Sequence, residues 1–178
     1  MAEAFSNSVT RAAGIVTTMT GGAIGIQTNL ITGISTTHVA VNDLVDNTQF
    51  ILGTKVSSVG ASQVVCDRDS TNTSAVTSQS VKFLGPTTAY TSTGTKSILV
   101  GGTFANNTGS SVNLTVTVYD NSVTTEVGLA ANIPVPNGSS FVISDTGKTV
   151  LESSDQIRIY CDSANAIDAT LSILTGVS

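Results

Sequence analysis

Short runs of aliphatic and β-branched residues, each ended by a cluster of Gly, Asn, Asp or Ser, recur along most of this chain. "LITGIS", "VAVNDLV", "QFILGTKVSSVG", "SQVVCDRDS" and "SVKFLG" follow one another between Leu30 and Gly85. Their spacing, about ten residues, is the rhythm of meandering strands in a small sandwich or barrel, and each run is too short for a stable helix. Beyond Lys96 the alternation is cleaner. In "VNLTVTVYD", Val112, Leu114, Val116 and Val118 fall on one face and Asn113, Thr115 and Thr117 on the other, as a strand with one buried side requires. Ile157, Ile159 and Cys161 alternate with Gln156, Arg158 and Tyr160 in the same way, and Ile167, Ala169, Leu171 and Ile173 repeat the pattern near the end. The best helical candidate, "EVGLAAN", contains Gly128 and is allowed one turn at most.

Composition agrees with an all-β fold. Aromatics are 4% of the 178 residues and Trp is absent, while Val, Ile, Thr, Ser and Gly recur throughout. The expected organisation is an N-terminal arm or first strand over 1–23, a small β domain over 24–86, a linker over 87–95 and an immunoglobulin-like β-sandwich over 96–178. The linker assignment rests on the polar "GPTTAYTSTGTK". Two of the 3 prolines, Pro134 and Pro136, stand in "NIPVPNGSSFVI". Neither can donate to a ladder, so this segment is expected on a sheet edge or in an extended crossover that a neighbouring subunit could grip.

Charge narrows the functional classes. Only 11% of residues are charged, and the formal net charge is -5 with 7 basic residues scattered singly. Nucleic acid is therefore not an expected partner. No run approaches the roughly 20 apolar residues that cross a bilayer, and "MAEAFSNSVTRAAG" lacks the basic start and apolar core of a secretory signal, so no membrane association is expected. Cys66 and Cys161 read as two free, strand-borne thiols.

The search for chemistry is short. One histidine, His38, sits in an expected exposed loop, and no G-x-S-x-G elbow accompanies any serine. One His and two distant Cys do not make a zinc set. Asp67, Asp69 and Asn72 in "DRDSTN" form a weak calcium candidate that lacks the central glycine and closing glutamate of an EF-hand loop. No enzyme activity, cofactor or resident metal is expected. Phe50, Phe83, Phe104 and Phe141 sit inside strand patterns and are expected in cores. Phe5 precedes them and is expected either to anchor an arm in an adjacent subunit or to pack on its own domain.

The segment "IPVPNGSSFVISDTGKTVLESSDQIRIYCDSANAIDATLSIL" resembles a C-terminal β-sandwich module of structural proteins in tailed bacteriophages, including cyanophage-type marine phages. Gly147, Lys148, Val150, Leu151, Glu152 and Asp155 fill its G-K-x-V-L-E-x-x-D pattern. The N-terminal half is similar to the "ITGIS…GTKVSSVGASQVVCDRDST" modules of phage virion proteins. The resemblance implies a non-enzymatic virion component of the neck, collar or tail, made in the host cytoplasm and working through contacts with other virion proteins and with its own copies. Phe5 and Ile133, Pro134, Val135 and Pro136 are the interface residues to test. A capsid decoration protein and a fibre or host-surface carbohydrate-binding module are the alternatives.

Overall fold

The computed structural model describes residues 3–94 and 96–177, without the side chains of 145–147. Gly147 of the motif above falls outside that description, as do the first residues of the expected arm and Thr95 of the expected linker. The described residues are all-β, with no helix among them. They divide into two compact units, one of residues 1–14 and 86–178, the other of residues 15–85.

The first unit holds eight strands in two antiparallel sheets. Its strands are β1 (Ala4–Ala13), β8 (Thr87–Thr91), β9 (Lys96–Asn106), β10 (Val112–Asp120), β11 (Thr125–Val135), β12 (Ser140–Glu152), β13 (Gln156–Cys161) and β14 (Ile167–Val177). One sheet has the order β1-β14-β9-β12 and the other β11-β10-β13-β8. Within this unit the first strand pairs the last, the second the seventh, the third the sixth and the fourth the fifth. A long hairpin rolled into two facing sheets gives this nesting, which is the jelly-roll order. It differs from the immunoglobulin-like order expected from strand number, because the N-terminal strand belongs to this unit and completes it.

The second unit is one six-stranded sheet of order β4-β7-β2-β3-β6-β5. Its strands are β2 (Ile15–Ile24), β3 (Leu30–Thr32), β4 (Leu44–Asp46), β5 (Val56–Val59), β6 (Gln63–Cys66) and β7 (Val76–Gly85). Ile24, Ile31, Val64, Val81 and Phe83 form its core. The chain enters at Ile15 and leaves at Gly85, residues that pair with each other. This unit is thus an insertion in the connection between β1 and β8.

Two expectations change at this level. Residues 1–23, expected as one arm or first strand, hold β1 of one unit and most of β2 of the other. The expected linker over 87–95 contains β8, whose Ala89 is buried in the sandwich core. The expected turn "DTGK" falls mostly on 145–147, outside the described side chains, and the β12–β9 register shifts between Ser144 and Thr149. A smaller bulge at Val100 in β9 has a clear purpose. It lets Ser97 and Leu99 before it, and Gly102, Phe104 and Asn106 after it, all face inward.

Other sequence patterns appear as read. Val112, Leu114, Val116 and Val118 are buried, as are Ile157, Ile159 and Cys161, and the four alternating residues of β14. Phe50, Phe83 and Phe104 are buried, and Phe141 packs on the core with its ring centroid 6.3 Å from that of Phe104. "EVGLAAN" is part of β11. The motif residue Asp155 is a structural cap: its carboxylate accepts the backbone N–H of Glu152 at 2.8 Å and that of Asn121 at 2.9 Å, holding two turns at once.

Candidate interaction surface

The double proline lies where its chemistry demands. β11 is the edge of its sheet, with Pro134 opposite Asn113 and exposed. Pro136 is also exposed and opens a turn in which Ser139 N–H reaches the Pro136 carbonyl at 3.2 Å and Gly138 takes φ +70°. A positive φ at the third position fits a type II turn. Val135, however, is 1% exposed in the core and Ile133 packs against it. Of these four candidate interface residues, only the prolines present side chains freely to the outside.

The calcium candidates point to separate partners. Asp67 accepts the Lys55 backbone N–H at 2.8 Å. Asn72 is buried and donates its amide to Gly25 and Ser74 carbonyls at 2.8 and 2.7 Å, while Asp69 is exposed. The Asn72 Oδ1 is the one buried side-chain polar atom without a partner among the described residues. The expected exposed loop position of His38 is observed, at φ 64°, with its carbonyl accepting the Thr17 hydroxyl at 3.2 Å. Cys66 and Cys161 are buried thiols in different units. Burial, aided by the neighbouring Asp67 charge, pushes the Cys66 thiol up to about 12.

The outer face of β11-β10-β13-β8 is a closed polar network. Thr115, Thr117 and Tyr119 pair with Tyr160, Arg158 and Gln156. Glu126, on the adjoining strand, accepts from the Thr117 hydroxyl, from the Tyr160 hydroxyl at 2.9 and 3.0 Å, and from Arg158 Nη1 at 3.4 Å. Arg158 also lies 3.7 Å above the Tyr119 ring and donates Nε to Gln156 at 2.9 Å. The Arg158 and Glu126 side chains are only 15% and 4% exposed. Burial, and then the Glu126 carboxylate, raise the Tyr160 hydroxyl far above its ordinary value, so this phenol stays protonated and acts as a donor. Carboxylate, guanidinium and phenol satisfy one another.

The outer face of β1-β14-β9-β12 is the opposite. Three cross-strand rows run over all four strands. Phe5, Leu174, Ile98 and Val150 make an apolar row. Asn7, Ser172, Gly101 and Ser144 make a row of small uncharged residues. Val9, Thr170, Thr103 and Val142 make a third row with valine at each end. Phe5 and Val9 are 76% and 75% exposed, and Val142 and Val150 are exposed too. An open trough lies along the middle rows, where Gly101 contributes no side chain. None of these residues is charged. Charged residues flank the rows: Asp168, which accepts the Ala12 N–H at 2.8 Å, and the exposed Arg11 at one end, the Lys96–Glu152 pair, 3.2 Å apart, at the other, and the exposed Lys148 on β12 between Ser144 and Val150.

β1 shows most plainly that this face is built to be apolar. Its sequence alternates Phe5 and Val9 with Ser6, Ser8 and Thr10, and a strand closing a sandwich ordinarily turns its apolar side inward. Here the polar side faces in. Ser6, Ser8 and Thr10 lie opposite the buried Ile173, Leu171 and Ala169. Ser8 and Thr10 donate their hydroxyls to the Ala89 carbonyl of the facing sheet, at 2.8 and 3.4 Å. The hydroxyls close the sandwich edge, and Phe5 and Val9 are left outside. Sequence reasoning singled out Phe5 but missed Val9, Val142, Val150 and Ile98, because register across strands distant in sequence is needed to see them as one surface.

No family model matches the chain, and no curated protein or solved structure is significantly similar to it. What the geometry defines is an all-β chain with a partly apolar, exposed sheet face.

Proposed function

We propose that this chain is a non-enzymatic structural component of a tailed-phage virion, associated with the neck, collar or tail, and that it acts through subunit contacts. The observation that carries the reading is the outer face of β1-β14-β9-β12, where Phe5, Val9, Val142 and Val150 are exposed together on a rigid paired sheet. Patches of this kind on soluble proteins mark interaction sites. The satisfied Glu126–Arg158–Tyr160 network supports the non-enzymatic part, because its groups are occupied with one another. Resemblance of the C-terminal segment to phage virion modules supplies the setting, and Glu152 and Asp155 of that pattern hold turns of the sandwich.

A capsid decoration role is the second reading, favoured by the jelly-roll order, which recurs in capsid domains. Mass spectrometry of particles purified from the source culture, with copy number measured against the major shell protein, tests both. A copy number matching a ring supports the neck or tail reading, and one rising with the shell supports decoration. A chain found only in the soluble lysate, never in intact particles, overturns the virion assignment.

A further inference from the structure

We infer that Asn137 is a self-modifying residue. Attack of the Gly138 backbone nitrogen on its carboxamide converts it to aspartate and isoaspartate, and so places a new carboxylate in the turn between β11 and β12. Nothing in this chemistry depends on the virion reading.

Asn137 alone among the asparagines precedes a glycine. Ring closure carries the next residue's backbone nitrogen onto the side-chain carbon, and a side chain on that next residue crowds the approach. Gly138 has none, and a Cβ built on it would meet nothing within 4 Å. Both residues are exposed. Among the described residues, neither the Asn137 carboxamide nor the Gly138 N–H has a hydrogen-bond partner, so electrophile and nucleophile are both unengaged. Other asparagines are tied down. Asn72 and Asn106 each give their amide to two carbonyls, and Asn113 gives its own to Asp162. Asn107 is exposed too, but the Thr108 N–H that would have to attack it is donated to Asn106 Oδ1 at 2.8 Å.

The turn also permits the motion. It closes on the Pro136 carbonyl, which accepts the Ser139 N–H at 3.2 Å and the Ser139 hydroxyl at 2.8 Å. The Asn137–Gly138 peptide is the central one of this turn and takes part in neither bond. Type I and type II turns differ by a flip of that peptide, and glycine, here at φ +70°, tolerates both, so the nitrogen can swing toward Cγ while the closure holds. Gly138 N then loses its proton to solvent and bonds to Asn137 Cγ. The Cγ–Nδ2 bond breaks, ammonia leaves, and a succinimide remains. Water opens that ring at one carbonyl to give aspartate or at the other to give isoaspartate, with no change of oxidation state. Either product adds one negative charge to a chain of formal charge -5, beside the exposed Pro134 and Pro136. Isoaspartate also runs the main chain through Cβ and lengthens a turn whose Ser139 carbonyl accepts the Asn106 N–H at 3.0 Å.

The test incubates the full chain for weeks at mildly alkaline pH in water enriched in heavy oxygen, followed by peptide mapping with fragmentation that separates isoaspartate from aspartate. Asn137 is expected to yield both products, each with one heavy oxygen atom, roughly tenfold faster than Asn107 or more. In isoelectric focusing an acidic species should accumulate in the wild type and be missing in Asn137→Gln, which changes an exposed side chain and keeps Gly138 and the turn. Conversion at Asn137 no faster than at Asn107, aspartate formed without isoaspartate, or an acidic species that persists in Asn137→Gln overturns the inference.

Discussion

The two outer faces of the sandwich are each made from four antiparallel strands, and they treat exposure in opposite ways. On β11-β10-β13-β8, a carboxylate, a guanidinium and a phenol are drawn below the surface and bonded to one another around Glu126. On β1-β14-β9-β12, valines and a phenylalanine stand in rows with nothing over them. One face is complete in the single chain. The other leaves apolar side chains exposed, which we propose a partner covers, and it is reached by turning the polar side of β1 inward. A sheet face can thus be reserved for assembly by inverting one edge strand, with little disturbance of the core beneath.

The comparison can be broken most forcefully at Glu126. Glu126→Ala leaves Arg158 partly buried without its carboxylate and removes the acceptor of Tyr160, and a loss of about 3–5 kcal/mol is expected in urea unfolding. A loss below about 1 kcal/mol would mean that the network is ordinary surface pairing. Next in size is Gly102→Ala, on the inward side of the other sheet. An added Cβ would lie 2.7 Å from the Leu171 side chain, so a loss of about 1–3 kcal/mol is expected, and none if Leu171 moves freely.

Alkaline titration sharpens the contrast between the two units. The Cys66 thiol binds its proton more tightly when folded, from a reference of 9.0 up to about 12. Its contribution to the 15–85 unit is therefore whole below pH 9.0 and lost as pH climbs toward about 12. Tyr160 is raised from 10.0 by the same mechanism, so the sandwich loses its corresponding contribution only above pH 10.0. Unfolding followed across this range should show the Cys66 unit weakening first, and Cys66→Val should abolish that early loss. The smallest effect is expected from Phe5→Ser with Val9→Ser: stability within about 0.5 kcal/mol of the wild type, because both side chains are outside the core, together with lost incorporation into particles. A large fall in stability would make these residues part of the fold and end the contrast between the faces.

Much of the architecture was legible where a strand lies over a core. Val112 to Val118, Ile157 to Cys161 and Ile167 to Ile173 announce their inward faces by strict alternation. Pro134 announces an edge because it lacks a donor. The illegible parts share a cause, which is pairing between segments distant in sequence. Nothing near Ala4–Ala13 says that its partner is Ile167–Val177, so β1 reads as an arm. β8 reads as a linker because, on the sheet edge, only Ala89 and part of Tyr90 reach the core. Register also hid the apolar rows. Phe5, Leu174, Ile98 and Val150 come from four places in the chain, and no local pattern joins them.

The pairing of β1 with β14 also sets a timetable for the nascent chain. The sheet of residues 15–85 has every strand in hand once Gly85 has left the ribosome, and it can close while the rest is still being made. β1 was made earlier but must wait, because its ladder partner among the described residues is β14, at Ile167–Val177. Through that interval its unpaired backbone and the side chains of Phe5 and Val9 are both open to neighbours, which makes the time before β14 emerges, rather than the finished fold, the stage at which crowded copies of this chain are most prone to pair wrongly.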